Sequence, residues 1–225
     1  MISFIVPIHN YGFYLKKCIN SILSNDNKLI KEIIIVNDAS TDNTKIIYSK
    51  NFKKIKKIKY FEKNFYSLSK STNFGIKKST GKWISKIDAD DWVSNNFAKT
   101  YINFLKKKKL DFIYSNLILF HQRFKTYKIK NQEVNGFKRL FKYPVGSGTL
   151  FKKKIWKDIK GFNEKIYYQD DYDFWLKINN LKYIKIGYIN KQLYYYRFHK
   201  SNMSKNFIKK NITKILILIR NIFKI

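Results

Sequence analysis

The first 42 residues, MISFIVPIHNYGFYLKKCINSILSNDNKLIKEIIIVNDASTD (1–42), alternate between two patterns. Residues 1–8 form an apolar run, and residues 32–36 form a β-branched run that ends in the polar turn at 37–42. Between these runs, apolar residues recur at helical spacing over 13–23, which predicts a helix. Two strands joined by a helix predict a βαβ unit, and such units build a parallel sheet.

The same alternation continues through the rest of the chain without an internal repeat or a Gly/Ser/Pro-rich linker. The pattern therefore predicts an α/β domain. We expect strands at 60–61, 83–87, 111–120, 183–186 and 192–196, helices at 69–78, 96–108 and 170–178, a strand running into a helix at 150–159, and irregular structure at 121–143.

The composition excludes several classes of protein. The 225 residues include 47 Lys plus Arg and 15 Asp plus Glu, a formal net charge of +32, yet 44% are hydrophobic, which argues against a disordered chain. Arginines number only four, whereas nucleic-acid surfaces favour arginine, so we interpret most lysines as a solvated coat typical of an AT-rich genome. The single cysteine, Cys18, excludes an internal disulfide or a zinc finger and suits a reducing compartment, so we expect a cytoplasmic protein.

Acidic residues are scarce, and six of the 15 fall in two short clusters, DADD (88–91) and DDYD (170–173). The first cluster directly follows a predicted strand, and ligands of parallel sheets bind at the carboxyl ends of strands. Two carboxylates separated by one residue are able to hold Mg²⁺ or Mn²⁺ together with a diphosphate. An isolated copy of this pattern also occurs by chance or caps a helix. The surrounding motifs are therefore needed to distinguish a metal site from these alternatives.

Those motifs occur in a characteristic order. They are SFIVPIHN (3–10), EIIIVNDASTD (32–42), NFG (73–75) with GKWI (81–84), DADDW (88–92), GFNE (161–164) and DDYDFWL (170–176). In order and spacing they resemble the motifs of glycosyltransferase family 2, over residues 2–204. The resemblance implies the GT-A fold, a Rossmann-like, mostly parallel sheet flanked by helices. It also implies transfer of a sugar, with inversion, from a nucleotide-diphosphate donor, by preference a UDP-sugar, to an acceptor hydroxyl.

The resemblance also implies roles for individual side chains. Asp90, together with Asp88, would hold Mn²⁺ or Mg²⁺, which neutralises charge on the leaving diphosphate. Asp171 matches the base that takes the proton of the acceptor hydroxyl, and Asp38 would accept a hydrogen bond from uracil N3. The matched donor-binding residues are Pro7, His9, Asn10, Asp38, Asn73, Asp88, Arg197, His199 and Ser204, and those expected on the acceptor side are Gly148, Asp170 and Trp175. This chain departs from the family at Asn37, His9 and Thr72, which replace the usual Asp, aromatic residue and Arg.

We expect a catalytic domain at 1–204 and a basic amphipathic helix at 205–225, which is too short and too charged to span a bilayer. Either its apolar stripe packs onto the domain, or it lies on an anionic leaflet at the inner membrane face. The second alternative suits a glycan or lipid-linked acceptor of surface polysaccharide or glycoconjugate synthesis, with no specific nucleic acid as partner. Two other functions stay open, a nucleic-acid-associated basic protein and an inactive, donor-binding relative. The stripe comprises Ile208, Ile212, Ile215, Leu216, Ile219, Ile222 and Phe223.

Overall fold

A computed structural model describes residues 1–134, 136–144, 146–200, 202 and 207–223. In these ranges the strands are β1 (Ile2–Ile8), β2 (Ile30–Asp38), β3 (Ile58–Lys63), β4 (Trp83–Lys86), β5 (Trp92–Val93), β6 (Phe112–His121), β7 (Thr126–Lys130), β8 (Leu150–Lys152) and β9 (Ile186–Phe198). The helices are α1 (Gly12–Leu23), α2 (Thr44–Asn51), α3 (Leu68–Lys78), α4 (Phe97–Lys108), α5 (Lys153–Asp158), α6 (Asp170–Asn179) and α7 (Phe207–Phe223), with a 3₁₀ helix at Gly136–Leu140.

The strands form one mixed sheet in the order β3-β2-β1-β4-β8-β6-β9-β5, with β7 paired to the outer part of β6. Strands β3, β2, β1 and β4 are parallel, which confirms the βαβ unit predicted from the first 42 residues. Beyond β4 the pairing is mostly antiparallel, because β8 runs against both β4 and β6. The parallel half therefore carries the strand ends at which a ligand site is expected.

Helices cover both faces of the sheet, and each face has its own apolar core. Successive residues of β2 point alternately to the two cores: Ile33 and Ile35 pack toward α1 and α4, whereas Ile34 and Val36 pack toward α3 and α6. Burial on both faces explains why the parallel strands are continuous apolar runs. Cys18 is fully buried in the first of these cores.

The sequence-based expectation was wrong for residues 121–143. The segment is not wholly irregular, because Thr126–Lys130 forms β7 and Gly136–Leu140 forms a 3₁₀ helix. Every residue of β7 is exposed, so its side chains carry no pattern of buried and exposed positions that would identify it. Its existence depends on hydrogen bonding to β6, a long-range pairing that local periodicity does not report. The strand expected at 192–196 is part of a longer strand, β9, and the strand expected at 183–186 is wrong, because β9 begins only at Ile186.

The C-terminal helix α7 docks on α6, but through a different face from the predicted stripe. Ile217 is buried, Arg220 forms an ion pair with Asp173, and the Asn180 amide donates to Asn221 at 2.9 Å. The five stripe residues whose side chains the structure describes therefore do not pack onto the domain. Its exposed members are Ile208, Ile212, Ile215, Leu216 and Ile219. Within the described part of the chain, we find no helix of the length and apolarity that a membrane crossing requires.

Candidate active site

A cleft of about 350 Å³ lies at the carboxyl ends of β1, β2 and β4. We call it the central cleft. Each of these strand ends places one or two predicted site residues at the cleft, because parallel strands finish at the same edge of the sheet. The predicted site residues that line it are Pro7, His9, Asp38, Asp88 and Asp90.

Asp90 is held by the segment that follows β9. Its Oδ2 lies 2.8 Å from His199 Nε2 and 3.4 Å from Asn202 Nδ2, and its backbone oxygen accepts a hydrogen bond from Arg197 Nε at 2.7 Å. The structure thus brings His199 to the predicted metal carboxylate. Ser204, which the family resemblance also implied, lies outside the described residues.

Asp91 has a structural role beside these groups. Its carboxylate accepts hydrogen bonds from the backbone nitrogen of Arg197, at 2.7 Å, and from the hydroxyl of Tyr194. Burial, together with the charges of Asp90 and Asp88, raises the pKa of Asp91 well above its ordinary value. Asp91 therefore joins the DADD turn to β9 and faces the protein interior.

Lys86 is the residue that the sequence analysis missed. It is the last residue of β4, its side chain is 5% exposed, and its Nζ lies 3.0 Å from Asp88 Oδ1. Burial alone would lower the pKa of Lys86, but the carboxylates of Asp88, Asp170 and Asp171 outweigh burial and raise it. The charges of both acidic clusters, 88–91 and 170–173, therefore act on one ammonium group, and Asp88 is in direct contact with it. The available signal was a lysine inside a buried strand, two residues before Asp88 and hence on the same side of the strand.

Asp170 and Asp171 begin α6 on the other side of this ammonium group. Burial raises the pKa of Asp170 to about 6, against the opposing charge of Lys86, and burial raises the pKa of Asp171 in the same way. Asp170 Oδ2 lies 3.4 Å from the hydroxyl of Ser69, and Asp171 Oδ2 accepts a hydrogen bond from the Gly146 nitrogen at 3.3 Å. A carboxylate whose pKa is shifted toward neutrality is suited to general-base chemistry.

Gly146, and not the predicted Gly148, is the glycine that abuts this pair. A Cβ on Gly146 would lie 2.5 Å from Asp171 Cβ, so a larger residue would displace the carboxylate. Gly148 is buried, has φ +74°, and would bring a Cβ to 2.4 Å from the Tyr194 ring. The assignment of Gly148 to the acceptor side is therefore corrected to a packing role against Tyr194.

Asp38 shapes the wall of the central cleft. Its two carboxylate oxygens accept hydrogen bonds from the backbone nitrogens of residues 65, 66 and 67 at 2.6, 2.9 and 2.8 Å, and from the Ser71 hydroxyl at 2.9 Å. These four bonds use the acceptor positions of the carboxylate. Asp38 therefore has no free acceptor position for a uracil N3–H, and it instead holds the loop at 65–67, where Tyr66 has φ +49°.

His9 and Asn10 connect the same edge of the cleft to the turn after β2. His9 Nδ1 lies 2.5 Å from the backbone oxygen of Asp38, and this contact assigns the ring proton to Nδ1. The His9 ring lies edge-on to Tyr66, with the ring centroids 6.3 Å apart. Asn10 does not line the cleft; its Oδ1 accepts a hydrogen bond from the Thr41 nitrogen at 2.7 Å.

Arg197, Asn73 and Trp175 lie outside the central cleft. The Arg197 guanidinium lies 4.7 Å from the centre of the Trp92 ring and 4.8 Å from that of Tyr14, a cation–π position in which it is almost fully buried. Asn73 uses its amide to hold the segment at 161–164. Trp175 is 2% exposed, and its ring nitrogen donates to the Arg139 backbone oxygen at 2.9 Å, so it belongs to the core and not to the acceptor side.

The carboxylates of the DADD turn fit a divalent cation only when phosphate groups and water complete its coordination. Among the described residues, no group of three or more His, Cys, Asp or Glu side chains is placed to hold a metal by itself. Mg²⁺, however, is usually bound through one or two carboxylates plus phosphates and water. Asp88 and Asp90, two residues apart beside the cleft, supply that number.

Comparisons with known proteins agree with this geometry. The family model described as glycosyl transferase family 2 matches residues 3–175. Glycosyltransferase GlyA of Streptococcus pneumoniae is 26% identical over 93% of this chain and 32% of its own length. An uncharacterized glycosyltransferase of Rickettsia typhi is 30% identical over 79% of this chain and 58% of its length. The chain thus spans less than two thirds of either relative.

One solved structure shares the whole fold. S. aureus TarS, residues 1–349, in complex with UDP-GlcNAc, superposes with a TM-score of 0.79 at 22% identity, over 98% of this chain and 66% of the other. This similarity confirms the fold class, a mixed α/β sheet with flanking helices as in GT-A proteins.

Proposed function

Because the chain belongs to glycosyltransferase family 2, we propose that it transfers a sugar, with inversion, from a nucleotide-diphosphate donor to an acceptor hydroxyl. The observation that carries the proposal is that both acidic clusters lie close to Lys86. Asp88 forms an ion pair with Lys86, and the loop that holds Asp171 through the Gly146 nitrogen also donates to the Lys86 backbone oxygen, from the Gly148 nitrogen at 2.9 Å. The UDP-GlcNAc complex of TarS supports a UDP-sugar as donor. The relative named chondroitin synthase, from Pasteurella multocida, supports a role in polysaccharide or glycoconjugate synthesis.

The reaction requires one base and no enzyme nucleophile, because inversion follows from a single displacement. Asp171 takes the proton of the acceptor hydroxyl as that oxygen attacks the anomeric carbon and the bond to the diphosphate breaks. The Gly146 nitrogen holds one oxygen of Asp171 at 3.3 Å, which orients the carboxylate. Burial raises the pKa of Asp171, and the charge of Lys86 opposes this effect and so favours the deprotonated form that a base requires.

Asp88 and Asp90 would hold Mn²⁺ or Mg²⁺, and a bound ion would supply charge neutralisation for the leaving diphosphate. His199, 2.8 Å from Asp90, would orient that carboxylate. Pro7, His9 and Tyr66 line the region of the cleft that would receive the nucleoside.

The exposed stripe of α7 supports peripheral contact with an anionic membrane. Five large aliphatic side chains of this helix are exposed, and lysines flank them along the helix. An amphipathic helix of this kind lies in the headgroup region, where anionic lipids attract its basic residues. Such contact, at the inner membrane face, would bring the cleft to a lipid-linked acceptor.

Co-sedimentation with vesicles tests this contact. The paired change Ile212→Ser and Ile215→Ser should release the protein from phosphatidylglycerol vesicles, and phosphatidylcholine vesicles should bind the unchanged protein weakly. Phe13→Ser, which removes an exposed aromatic residue elsewhere, is the matched control. Equal binding of all three proteins would contradict membrane contact through α7.

The activity itself is tested by thermal shift with UDP-sugars, with and without Mn²⁺, followed by a transfer or hydrolysis assay. We expect one donor to raise the melting temperature, and Asp171→Asn to keep this shift while losing turnover by about 10²–10⁴-fold. Turnover that survives Asp171→Asn would contradict the assigned base. A chain that binds donors with no turnover would be the inactive relative. Salt-sensitive nucleic-acid binding with no donor response would favour the nucleic-acid alternative.

A further inference from the structure

A second cleft, of about 520 Å³, opens on a different face of α3 from the central cleft. Lys70, Asn73, Phe74 and Lys77 lie three or four residues apart and form one face of that helix. The opposite wall comes from α5 and the segment after it. We call this the lysine-rimmed cleft, and its other lining residues are Phe65, Trp156, Lys157, Lys160 and Glu164.

The floor of the lysine-rimmed cleft is aromatic and is held rigidly. Phe74 and Trp156 are partly exposed there, and Phe74 packs on Phe61 with a centroid distance of 5.3 Å. The ring nitrogen of Trp156 donates to Asn73 Oδ1 at 2.9 Å. Asn73 Nδ2 in turn donates to the Phe162 oxygen and to Glu164 Oε1, both at 2.9 Å. The amide of Asn73 therefore links the two walls of the cleft.

The rim carries uncompensated positive charge. Lys70, Lys77, Lys157 and Lys160 are all exposed. None of the four forms an ion pair with another described residue, and the one acidic side chain of the cleft, Glu164, is engaged by Asn73. Like charges around a concave surface favour an anion with several charges, which would replace their mutual repulsion by attraction.

Two short segments line both clefts. Phe65 borders the lysine-rimmed cleft, whereas the next two residues, Tyr66 and Ser67, border the central cleft. Likewise Glu164 borders the first, and Ile166 and Tyr167 border the second. A flexible chain that leaves the central cleft therefore has to cross only these two segments to reach the lysines.

We infer that the lysine-rimmed cleft binds an anionic glycan, so that the acceptor or product chain of this enzyme carries carboxylate or phosphate groups. The flat apolar faces of sugar rings would pack on Phe74 and Trp156, and the anionic substituents would pair with the lysine rim. The inference rests on the proposed glycosyl transfer, because that activity supplies a sugar chain beside the cleft. A single-stranded nucleic acid would use similar groups, but the rim contains no arginine.

The test compares two variants of equal charge. In the first, Lys70, Lys77, Lys157 and Lys160 become Gln; in the second, the exposed lysines 106–109 at the end of α4 become Gln. Binding is measured by calorimetry with a polygalacturonate oligosaccharide of about ten sugars, in about 150 mM salt, where distant surface charges are screened. Neutral maltooligosaccharide and a thymidine oligonucleotide of the same length serve as comparison ligands.

We expect the dissociation constant for polygalacturonate to rise about tenfold in the first variant and less than about twofold in the second, with no binding of the neutral chain. An equal loss in both variants would overturn the inference, because the lysine coat as a whole would then be responsible. Tighter, rim-dependent binding of the oligonucleotide would overturn it in favour of a nucleic acid. The donor thermal shift of the unchanged protein is measured separately. Its absence would contradict the transferase, whereas a donor shift in an unchanged protein that does not bind polygalacturonate would contradict the inference about the lysine-rimmed cleft alone.

Discussion

Lys86 and Asp88 form an ion pair of 3.0 Å in which the lysine side chain is 5% exposed and the aspartate side chain 28% exposed. The two residues are adjacent on one side of the strand end, so the pair forms locally, but its consequence is not local. The charges of Asp170 and Asp171, at the start of α6, also raise the pKa of this ammonium group. A buried charge of this kind is stable only while its counter-charges remain.

The first prediction concerns Lys86→Gln. Removal of the ammonium group leaves buried carboxylates without a counter-charge and should lower the free energy of unfolding by about 3–5 kcal/mol near pH 7. It should also raise the pKa of Asp171 further, since Lys86 is the charge that opposes burial there. The acid limb of kcat/KM should therefore move to higher pH. Lys86→Arg retains the charge and is the control; an unmoved limb in Lys86→Gln, or an equal shift in both variants, would show that Lys86 does not set the protonation of the base.

The second prediction is the pH dependence of the unchanged protein. The base is active when it is deprotonated, and burial raises the pKa of Asp170 to about 6 and that of Asp171 in the same direction. Activity should therefore fall with falling pH at a pH above the ordinary range of aspartate. We assign this limb to the pair, because closely placed carboxylates titrate together. A limb near pH 4 in the kcat/KM profile would contradict it.

The third prediction concerns stability and uses the same pair. A carboxylate whose pKa is raised by folding binds its proton more tightly in the folded state than in the unfolded state. Its contribution to stability is thus full below the pKa of the unfolded chain and is lost as the pH rises through about 6. Asp170→Asn should accordingly raise the free energy of unfolding by about 1–2 kcal/mol at pH 7.5 and have little effect at pH 4. Urea unfolding at both pH values measures this, with the partly exposed Asp111→Asn as the control. A stability that falls at pH 7.5 would mean that Asp170 is ionised and stabilised by Lys86.

The fourth prediction concerns Gly146→Ala. The added Cβ would lie 2.5 Å from Asp171 Cβ, so the base must move. Displacement of a reacting group by about 1 Å costs about 10²-fold in rate, and we expect a loss of this size in kcat with the donor thermal shift unchanged. Ser147→Ala is the neighbouring control, because the buried Ser147 hydroxyl has no hydrogen-bond partner among the described residues. Equal activity of Gly146→Ala and the unchanged protein would show that Asp171 does not need this position.

The fifth prediction concerns Asp38→Asn. The amide nitrogen replaces one carboxylate oxygen and cannot accept a hydrogen bond, so the loop at 65–67 should lose at least one of its three hydrogen bonds to this side chain. Because Tyr66 and Ser67 line the central cleft, the donor dissociation constant should rise by about tenfold or more. Limited proteolysis of the loop should become faster in parallel. Weaker donor binding with an unchanged loop would indicate that Asp38 contacts the donor directly.

The sequence by itself determined the first βαβ unit, the helices α1, α4 and α6, and the position of DADD at the end of a strand. These features are predictable because the spacing of apolar residues along a helix or strand shows which of its faces is buried. Asp88, Asp90 and Asp171 were predicted as site residues from the resemblance of their motifs to glycosyltransferase family 2. The tertiary structure alone decided which groups meet them. The charges of α6 act on Lys86, and aromatic rings surround Arg197. Asp38 accepts hydrogen bonds from a loop, and Trp175 lies in the core. Those partners lie far apart in sequence, and the order of strands in the sheet, which local periodicity does not predict, brings them together.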